Sequence, residues 1–230
     1  MKSKNSFEEA YSLILEEIIN GTLKPGEVIT EVDLAERYGI SRTPVREALS
    51  RFQCEGLVNT TNRTKRIYSL SVHDLEEIFE LKKLIEGNVA ARAAENMTES
   101  QSLELQRIIG SMKLLSDISP ENESEEKKLL NSWLELDRQF HEVIFSTAAN
   151  KRAEQYIHKL NLQWHRLNVG LIAIEGRINK AIAEHESVSD AVLERDPVKA
   201  REKMTEHLEN LEKVIIRLME AFGNSTNLKN

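Results

Sequence analysis

The sequence predicts a mainly α-helical protein of two domains. Apolar residues recur at three- and four-residue intervals along most of the chain, which is the helical pattern. β-prone stretches occur only between residues 57 and 70. The length of 230 residues suits one large domain or two ordinary ones. We therefore expect a short N-terminal domain of helices and a hairpin, followed by an all-helical bundle.

The composition excludes several classes of protein. The single cysteine, Cys54, excludes an intramolecular disulfide framework and a cysteine-based zinc finger. No apolar run is long enough to span a membrane, and residues 1–6 lead into a charged helix instead of a signal peptide. We expect a soluble, cytoplasmic protein without a membrane partner.

Capping signals divide the N-terminal domain, which we place at residues 1–72. They are Ser6 and Asn20-Gly21 for the first helix, Thr30 and Gly39 for the second, and Ser41 and Gly56 for the third. Two β-prone stretches, 57–60 and 67–70, follow and are joined by a polar segment that indicates a hairpin. Ser71 starts the next helix, so the linker to the second domain is very short.

Positive charge is concentrated in residues 37–66, where seven Arg and Lys face two Glu, whereas the whole chain carries a net charge of −7. The turn between the second and third helices has helix-turn-helix spacing. These features predict a DNA-binding surface, although a solvated charged face is the alternative. The predicted contacts are Ser41, Arg42, Thr43 and Arg46 on the third helix and Arg63, Thr64 and Lys65 on the hairpin. The hydroxyls and free helix amides suit phosphate, and the arginines suit guanine edges.

The second domain, residues 73–230, is predicted to contain only helices. They cover roughly 73–95, 99–116, 126–147, 151–169, 176–194 and 198–221. Four polar residues lie on apolar faces of three of these helices: Asp137, His141, His185 and His207. His185 and His207 are each eleven residues from Asp196 in the turn between their helices, so an antiparallel pair places them at matching heights.

Two interpretations of these four residues are open from the spacing alone. Three imidazoles and one carboxylate form a plausible transition-metal site. Alternatively, each histidine is a core residue that donates a hydrogen bond to a carbonyl group. His165 and Arg166, near the middle of the bundle, are further candidates to line a pocket.

The N-terminal residues resemble the signature of the GntR family of winged-helix transcriptional regulators. The resemblance rests on Leu34-Ala35, the run from Gly39 to Leu49, and Glu55-Gly56-Leu57-Val58. It implies operator contacts by Arg42, Thr43 and Arg46. At the wing tip, relatives usually have Arg-Gly, whereas Thr64 follows Arg63 here. Because a non-glycine residue is strained in a left-handed turn, the resemblance does not carry over to the shape of the wing.

The second domain resembles the FCD ligand-binding domain of the FadR subgroup, a bundle of six or seven helices. The resemblance rests on Asp137-x-x-Phe140-His141, Ala149-Asn150, Glu184-His185 and the pattern from Asp196 to Leu208. It implies a divalent metal (Zn, Ni, Mn or Fe) held by Asp137, His141, His185 and His207. It also implies a small carboxylate effector, with Lys82 at the position of a common arginine.

Together, these features predict a homodimeric, ligand-responsive transcriptional regulator that binds double-stranded operator DNA and is not an enzyme. The alternative is a metal-dependent enzyme with an N-terminal docking module. No additional general base or nucleophile is grouped near the four polar residues in the sequence, which favours the regulator.

Overall fold

The structure is a computed structural model that describes residues 3–116, 118, 120–164 and 177–226. In the first part of the chain it contains α1 (Ser3–Ile19), β1 (Val28–Ile29), α2 (Glu31–Tyr38), α3 (Arg42–Cys54), β2 (Val58–Thr61) and β3 (Thr64–Ile67). The helices that follow are α4 (Val72–Asn96), α5 (Glu99–Ser116), α6 (Glu123–Ala148), α7 (Lys151–Trp164), α8 (Arg177–Leu193) and α9 (Pro197–Thr226). The predicted fold class, mainly helical with an N-terminal winged helix and a helical bundle, is confirmed.

The chain forms two compact units. The first comprises residues 1–71 with 159–168, and the second comprises 72–158 with 169–230. In the first unit, α1, α2, α3 and the sheet enclose an apolar core that includes Ile14, Leu49 and Phe52, each fully buried. Burial of such side chains is the main stabilising contribution to a small domain.

The sheet has three strands, in the order β1-β3-β2, and both pairings are antiparallel. The sequence predicts a hairpin here, but its second strand, predicted at 67–70, is wrong in position: β3 covers Thr64–Ile67, and the joining segment is a two-residue turn. The sequence does not predict β1. Strand β1 has only two residues, Val28 and Ile29, so it is too short for a period-two pattern to be visible. Helix α1 also begins at Ser3, so the predicted cap at Ser6 is wrong and Ser6 lies inside the helix.

The last residue with a strained backbone in the wing turn is Arg63, one position before Thr64, where the sequence predicts the strain. Asn62 and Arg63 have positive φ angles of 52° and 64°, and Thr61 pairs with Thr64 across the hairpin. Both central residues of a two-residue hairpin turn of this kind need positive φ, and asparagine tolerates it well. The strained residue is therefore Arg63, while Thr64 is extended in β3.

In the second unit, α4 packs against α6, α8 and α9, and α5 packs against α6 and α8. Buried apolar side chains from all of these helices form its core, among them Phe79, Phe140 and Met204. Within the described ranges, no helix combines the length and apolar character needed to cross a membrane.

Candidate metal centre and nucleic-acid interface

Helix α3 has the two faces that a DNA-recognition helix requires. Val45, Ala48, Leu49 and Phe52 are buried, and the predicted DNA-binding residues Arg42, Thr43 and Arg46 are exposed. Helix α2 ends at Gly39, whose φ of 65° closes the helix in the left-handed conformation that glycine adopts easily. The three-residue turn 39–41 then exposes the N-terminus of α3.

Ser41 occupies the N-cap position of α3, but its side chain makes no capping hydrogen bond. Its hydroxyl therefore does not compete for the first amides of the helix. Such amides carry a partial positive charge and are a ready site for a phosphate group. Ser41, Arg42 and Thr43 thus present hydroxyl, guanidinium and amide donors at one helix end.

The predicted wing residues differ in how accessible their side chains are for contact with DNA. Arg63 is exposed at the turn, and Thr64 is half-buried at the start of β3. Lys65 is also half-buried, and its Nζ lies 2.8 Å from Glu31 Oε1. Because this ammonium group already has a carboxylate partner, Lys65 is a weaker candidate for DNA contact than Arg63.

In the second unit, the structure brings together three of the predicted metal ligands. One nitrogen atom from each of His141, His185 and His207 lies within 4.8 Å of the others. The His185 and His207 ring centroids are 4.5 Å apart. His141 is on α6, His185 on α8 and His207 on α9, so the histidine cluster (His141, His185 and His207) joins three helices. These residues could hold a metal ion.

The hydrogen bonds of two of these histidines leave nitrogen lone pairs in the cluster. His185 Nδ1 donates to the carbonyl oxygen of Ala181 over 2.6 Å, and His207 Nδ1 donates to Glu184 Oε2 over 2.9 Å. Both partners can only accept, so Nδ1 carries the proton in each ring. His185 Nε2 and His207 Nε2 are buried without hydrogen-bond partners, as is His141 Nδ1. Buried polar atoms without partners are rare, and here three occur together.

Asp137 lies beside His185, with its Oδ1 atom 3.1 Å from His185 Nε2 and 4.0 Å from His141 Nε2. Since His185 Nδ1 holds the ring proton, a nitrogen lone pair faces a carboxylate oxygen. In the neutral ring these two acceptors repel each other, and a cation bound between them would remove the repulsion. The donor set therefore fits a metal ion.

Burial and neighbouring groups shift the pKa values of His141, His207 and Asp137 in this cluster. Burial holds the pKa of His141 well below its usual value, against the opposing charge of Asp137. Burial, and then the neighbouring His185, lower the pKa of His207. Partial burial opposes ionisation of Asp137, but His185, His141 and His207 together keep its pKa below the usual value. These directions favour a neutral imidazole at His141 and at His207 and an ionised Asp137, which are the forms that bind a metal.

Two aromatic side chains enclose the cluster. The Phe140 ring meets His185 edge to face at 4.5 Å between centroids, and the Trp133 ring meets His185 at 5.5 Å. Both aromatic residues are buried. An apolar wall of this kind lowers the local dielectric constant and strengthens the interaction between a cation and its ligands.

Lys82, the predicted effector contact, is buried beside the cluster and paired with Glu86. Their side chains are only 3% and 1% exposed, and Lys82 Nζ lies 2.5 Å from Glu86 Oε1. The second oxygen, Glu86 Oε2, is 3.9 Å from His141 Nδ1. Burial raises the pKa of Glu86, an effect that Lys82 partly offsets. Glu86 was not predicted as a site residue, because a Lys and a Glu four residues apart usually form an exposed pair.

The structure reveals two further site residues: Glu184, which contacts His207, and Arg177, which contacts Glu184. Arg177 is buried and forms two hydrogen bonds with Glu184, of 3.2 and 3.3 Å. Burial opposes ionisation of Glu184, but His207 and Arg177 lower its pKa overall. Glu184 appears in the sequence motif next to His185, but Arg177 has no motif that could have indicated it. The predicted pocket residues His165 and Arg166 lie outside the described residues.

A helix-turn-helix unit joined to a helical domain of this kind defines a class of transcription regulators. Two family models match the chain: "Bacterial regulatory proteins, gntR family" over residues 7–64 and "FCD domain" over residues 77–210. The chain therefore belongs to the GntR family of bacterial regulators and carries an FCD domain. It is a transcriptional regulator.

Individual relatives agree with this assignment. The HTH-type transcriptional regulator LutR of Bacillus subtilis (strain 168) is 30% identical over 220 residues, which cover 86% of this chain and 95% of LutR. The HTH-type transcriptional repressor RspR of Escherichia coli (strain K12) is 24% identical over 205 residues, covering 89% and 86%. The structure of E. coli McbR/YncC has the same fold, with a TM-score of 0.72 at 20% identity, and the match covers 95% of this chain and 99% of that one. GntR-family regulators bind operator DNA and function as dimers.

Proposed function

We propose that this protein is a dimeric regulator that binds a divalent transition metal in its FCD domain. A small carboxylate effector bound beside the metal changes its affinity for operator DNA. The observation that supports the metal most directly is the group of three buried imidazole nitrogens without partners. Each has a lone pair or a proton that no protein group satisfies, and a metal ion is the ligand that satisfies several such nitrogens at once.

The proposed ligands are Asp137, His141, His185 and His207. Imidazole with carboxylate suits Zn, Ni, Mn or Fe, and the absence of a thiolate from the set argues against a purely structural zinc site. When bound, the metal supplies a Lewis-acidic centre that can coordinate the carboxylate of a small organic acid. The protein side chains set the charge and orientation of that centre.

The Lys82–Glu86 pair affects how the effector binds. An effector carboxylate that uses Lys82 must compete with Glu86, which already holds that ammonium group at 2.5 Å. The metal is therefore the main anchor for the effector, and Lys82 is a secondary contact. His165 and Arg166 remain our proposed additional pocket residues.

The proposed DNA contacts are Ser41, Arg42, Thr43 and Arg46 of α3 with Arg63, Thr64 and Lys65 of the wing. Ser41 and Thr43 position the helix on phosphates, while Arg42 and Arg46 read guanine edges in the major groove. An effector changes this binding only if it prefers one of two conformations of the dimer. Helix α4 begins at Val72 and carries Lys82 and Glu86, so one continuous helix runs from the end of the winged helix to the proposed effector site.

Elemental analysis tests the metal proposal. Wild-type protein purified without chelator should contain stoichiometric metal, and His185→Ala should lose it. The matched control is His73→Ala, because His73 is an exposed residue at the start of α4. Absence of metal from the wild-type preparation, or full retention by His185→Ala, would contradict the proposed centre.

Operator titrations test the DNA proposal. Arg46→Ala should weaken specific binding by about 1–3 kcal/mol, the value of one good arginine–guanine contact. Arg46→Lys keeps the charge but loses the two-pronged geometry, so it should keep the salt dependence of binding while losing discrimination between bases. Arg138→Ala removes the same charge from an exposed position in α6 and serves as the control. Unchanged operator affinity of Arg46→Ala would refute the proposed interface.

A further inference from the structure

A chain of hydrogen bonds runs from His207 to a buried arginine. His207 Nδ1 is 2.9 Å from Glu184 Oε2, and the two Glu184 oxygens accept hydrogen bonds from Arg177. Arg177 and Glu184 lie seven residues apart on α8, two helical turns, so both reach the same side of that helix. The chain crosses from α8 to His207 on α9.

Glu184 determines which nitrogen of His207 faces the cluster. An ionised carboxylate can only accept, so the proton of the neutral imidazole stays on Nδ1. The Nε2 atom, which is buried and has no partner, then keeps its lone pair. Without Glu184, the proton is free to move to Nε2, and the ring loses the donor atom that a metal needs.

Arg177 holds Glu184 in the orientation that this role needs. Its side chain is buried, and its two parallel hydrogen bonds fix the plane of the carboxylate. A Glu side chain has three rotatable bonds, and it is only partly buried here. The guanidinium group therefore removes the freedom that would otherwise take Glu184 away from His207.

The neighbouring ligand, His185, is held in a different way. Its Nδ1 donates to the backbone carbonyl of Ala181 one turn earlier in the same helix, which any residue at position 181 can provide. His207 depends on side chains instead. Successive helical residues point about 100° apart, so Glu184 faces α9 while the adjacent His185 faces the cluster. This explains why Glu directly precedes His in this motif.

We infer that Glu184 and Arg177 are positioning residues that set the metal affinity of the site through the tautomer and orientation of His207. This inference rests on the proposed metal centre. A carboxylate partner also makes the imidazole a stronger donor to a metal than a carbonyl partner does. Removal of such a partner typically weakens metal binding by about 10–100-fold.

The tautomer can be measured without any metal. In metal-free protein labelled with ¹⁵N-histidine, long-range ¹H–¹⁵N spectra distinguish a protonated Nδ1 from a protonated Nε2, and a His207→Ala spectrum assigns the signal. Wild-type His207 should carry its proton on Nδ1 at neutral pH. Glu184→Ala should shift the proton toward Nε2, whereas Glu184→Gln should retain the wild-type tautomer because its amide oxygen can still accept. A wild-type His207 protonated on Nε2 would overturn the inference.

Metal affinity provides the second readout, with Co²⁺ as the probe in competition with a chelating indicator. Glu184→Ala should bind Co²⁺ about 10–100-fold more weakly than wild type. Glu184→Gln and Arg177→Lys should lose less, because each keeps part of the hydrogen-bond chain. The control is Glu186→Ala, which removes a carboxylate two residues along α8 that pairs with Lys113 on the surface. Its Co²⁺ affinity should equal that of wild type.

The outcomes separate this inference from the proposed function. A wild-type protein that binds no Co²⁺ refutes the metal centre itself. A wild-type protein that binds Co²⁺ with an affinity unchanged in Glu184→Ala refutes the positioning role alone. Glu184→Gln preserves the size of the side chain, so the comparison remains available if the alanine variant does not fold.

Discussion

Two helical glycines in the second unit should respond to alanine in opposite directions. Gly87 lies in α4, and a Cβ atom placed there would be 2.9 Å from Thr205 Oγ1 and 3.3 Å from Arg201 Cγ. Gly110 lies in α5, where a Cβ atom would meet nothing within 4 Å. The two substitutions add the same methyl group, so the difference between them isolates the contact of α4 with α9.

The magnitudes follow from these contacts. In a helix, alanine is more stable than glycine by about 0.5–1 kcal/mol, and Gly110→Ala should gain this amount. At Gly87 the added methyl group overpacks the interface, which costs about 1–3 kcal/mol. Thr205 Oγ1 can move only by giving up its 2.9 Å hydrogen bond to the Arg201 carbonyl. Because the gain in helix propensity is common to both variants, the free energy of unfolding of Gly87→Ala should be about 1–3 kcal/mol lower than that of Gly110→Ala.

Urea unfolding of the full-length protein, followed by far-UV circular dichroism, measures this difference. Both variants and wild type should be compared in excess chelator, because a bound metal would add its own stabilisation. The midpoint should fall for Gly87→Ala and rise for Gly110→Ala with similar slopes. If Gly87→Ala is as stable as Gly110→Ala, the close approach of α4 and α9 at this point is not as the structure shows it.

Three further outcomes are expected. Arg63→Gly should raise the free energy of unfolding by about 1 kcal/mol, because glycine relieves the strain of a positive φ at the wing turn. It should also weaken operator binding, because the positive charge of Arg63 is lost. A lower free energy of unfolding in urea would contradict the proposed strain at this turn. Lys82→Met should lower the free energy of unfolding by about 3–5 kcal/mol, because it leaves Glu86 buried and unpaired. The double variant Lys82→Met/Glu86→Leu should recover most of that loss in the same assay. A metal at a concentration one hundred times its Kd should raise the free energy of unfolding of wild type by about 2.7 kcal/mol, measured by thermal unfolding. His141→Ala should show no such gain.

Much of the winged helix could be predicted because its signals are local in the sequence. Thr30 accepts a hydrogen bond from the Asp33 amide and starts α2, Gly39 ends it, and the buried positions of α3 are those that the pattern predicts. The errors arose where a local signal was absent or misleading. Strand β1 forms only because β3 lies beside it, and the cap signal at Ser6 was overridden by a helix that extends three residues further.

The histidine cluster was within reach of sequence reasoning, but the burial of its charged neighbours was not. Helical spacing placed Asp137 and His141 together, and equal distances from a turn aligned His185 with His207. Lys82, Glu86 and Arg177 carry charges on helices, and such residues are normally exposed. That they are buried depends on contacts between helices that no local pattern specifies.

The buried ionisable side chains of the second unit are grouped in one place. Among the described residues of that unit, the buried ionisable side chains are Lys82, Glu86, Arg177, His185 and His207. Each belongs to the histidine cluster or contacts one of its members directly or through one other side chain. Apolar residues of similar size are often at least as stabilising as a buried ion pair. The concentration of these charges around one cluster, with shifted pKa values at the same place, therefore supports the ligand site that we propose there.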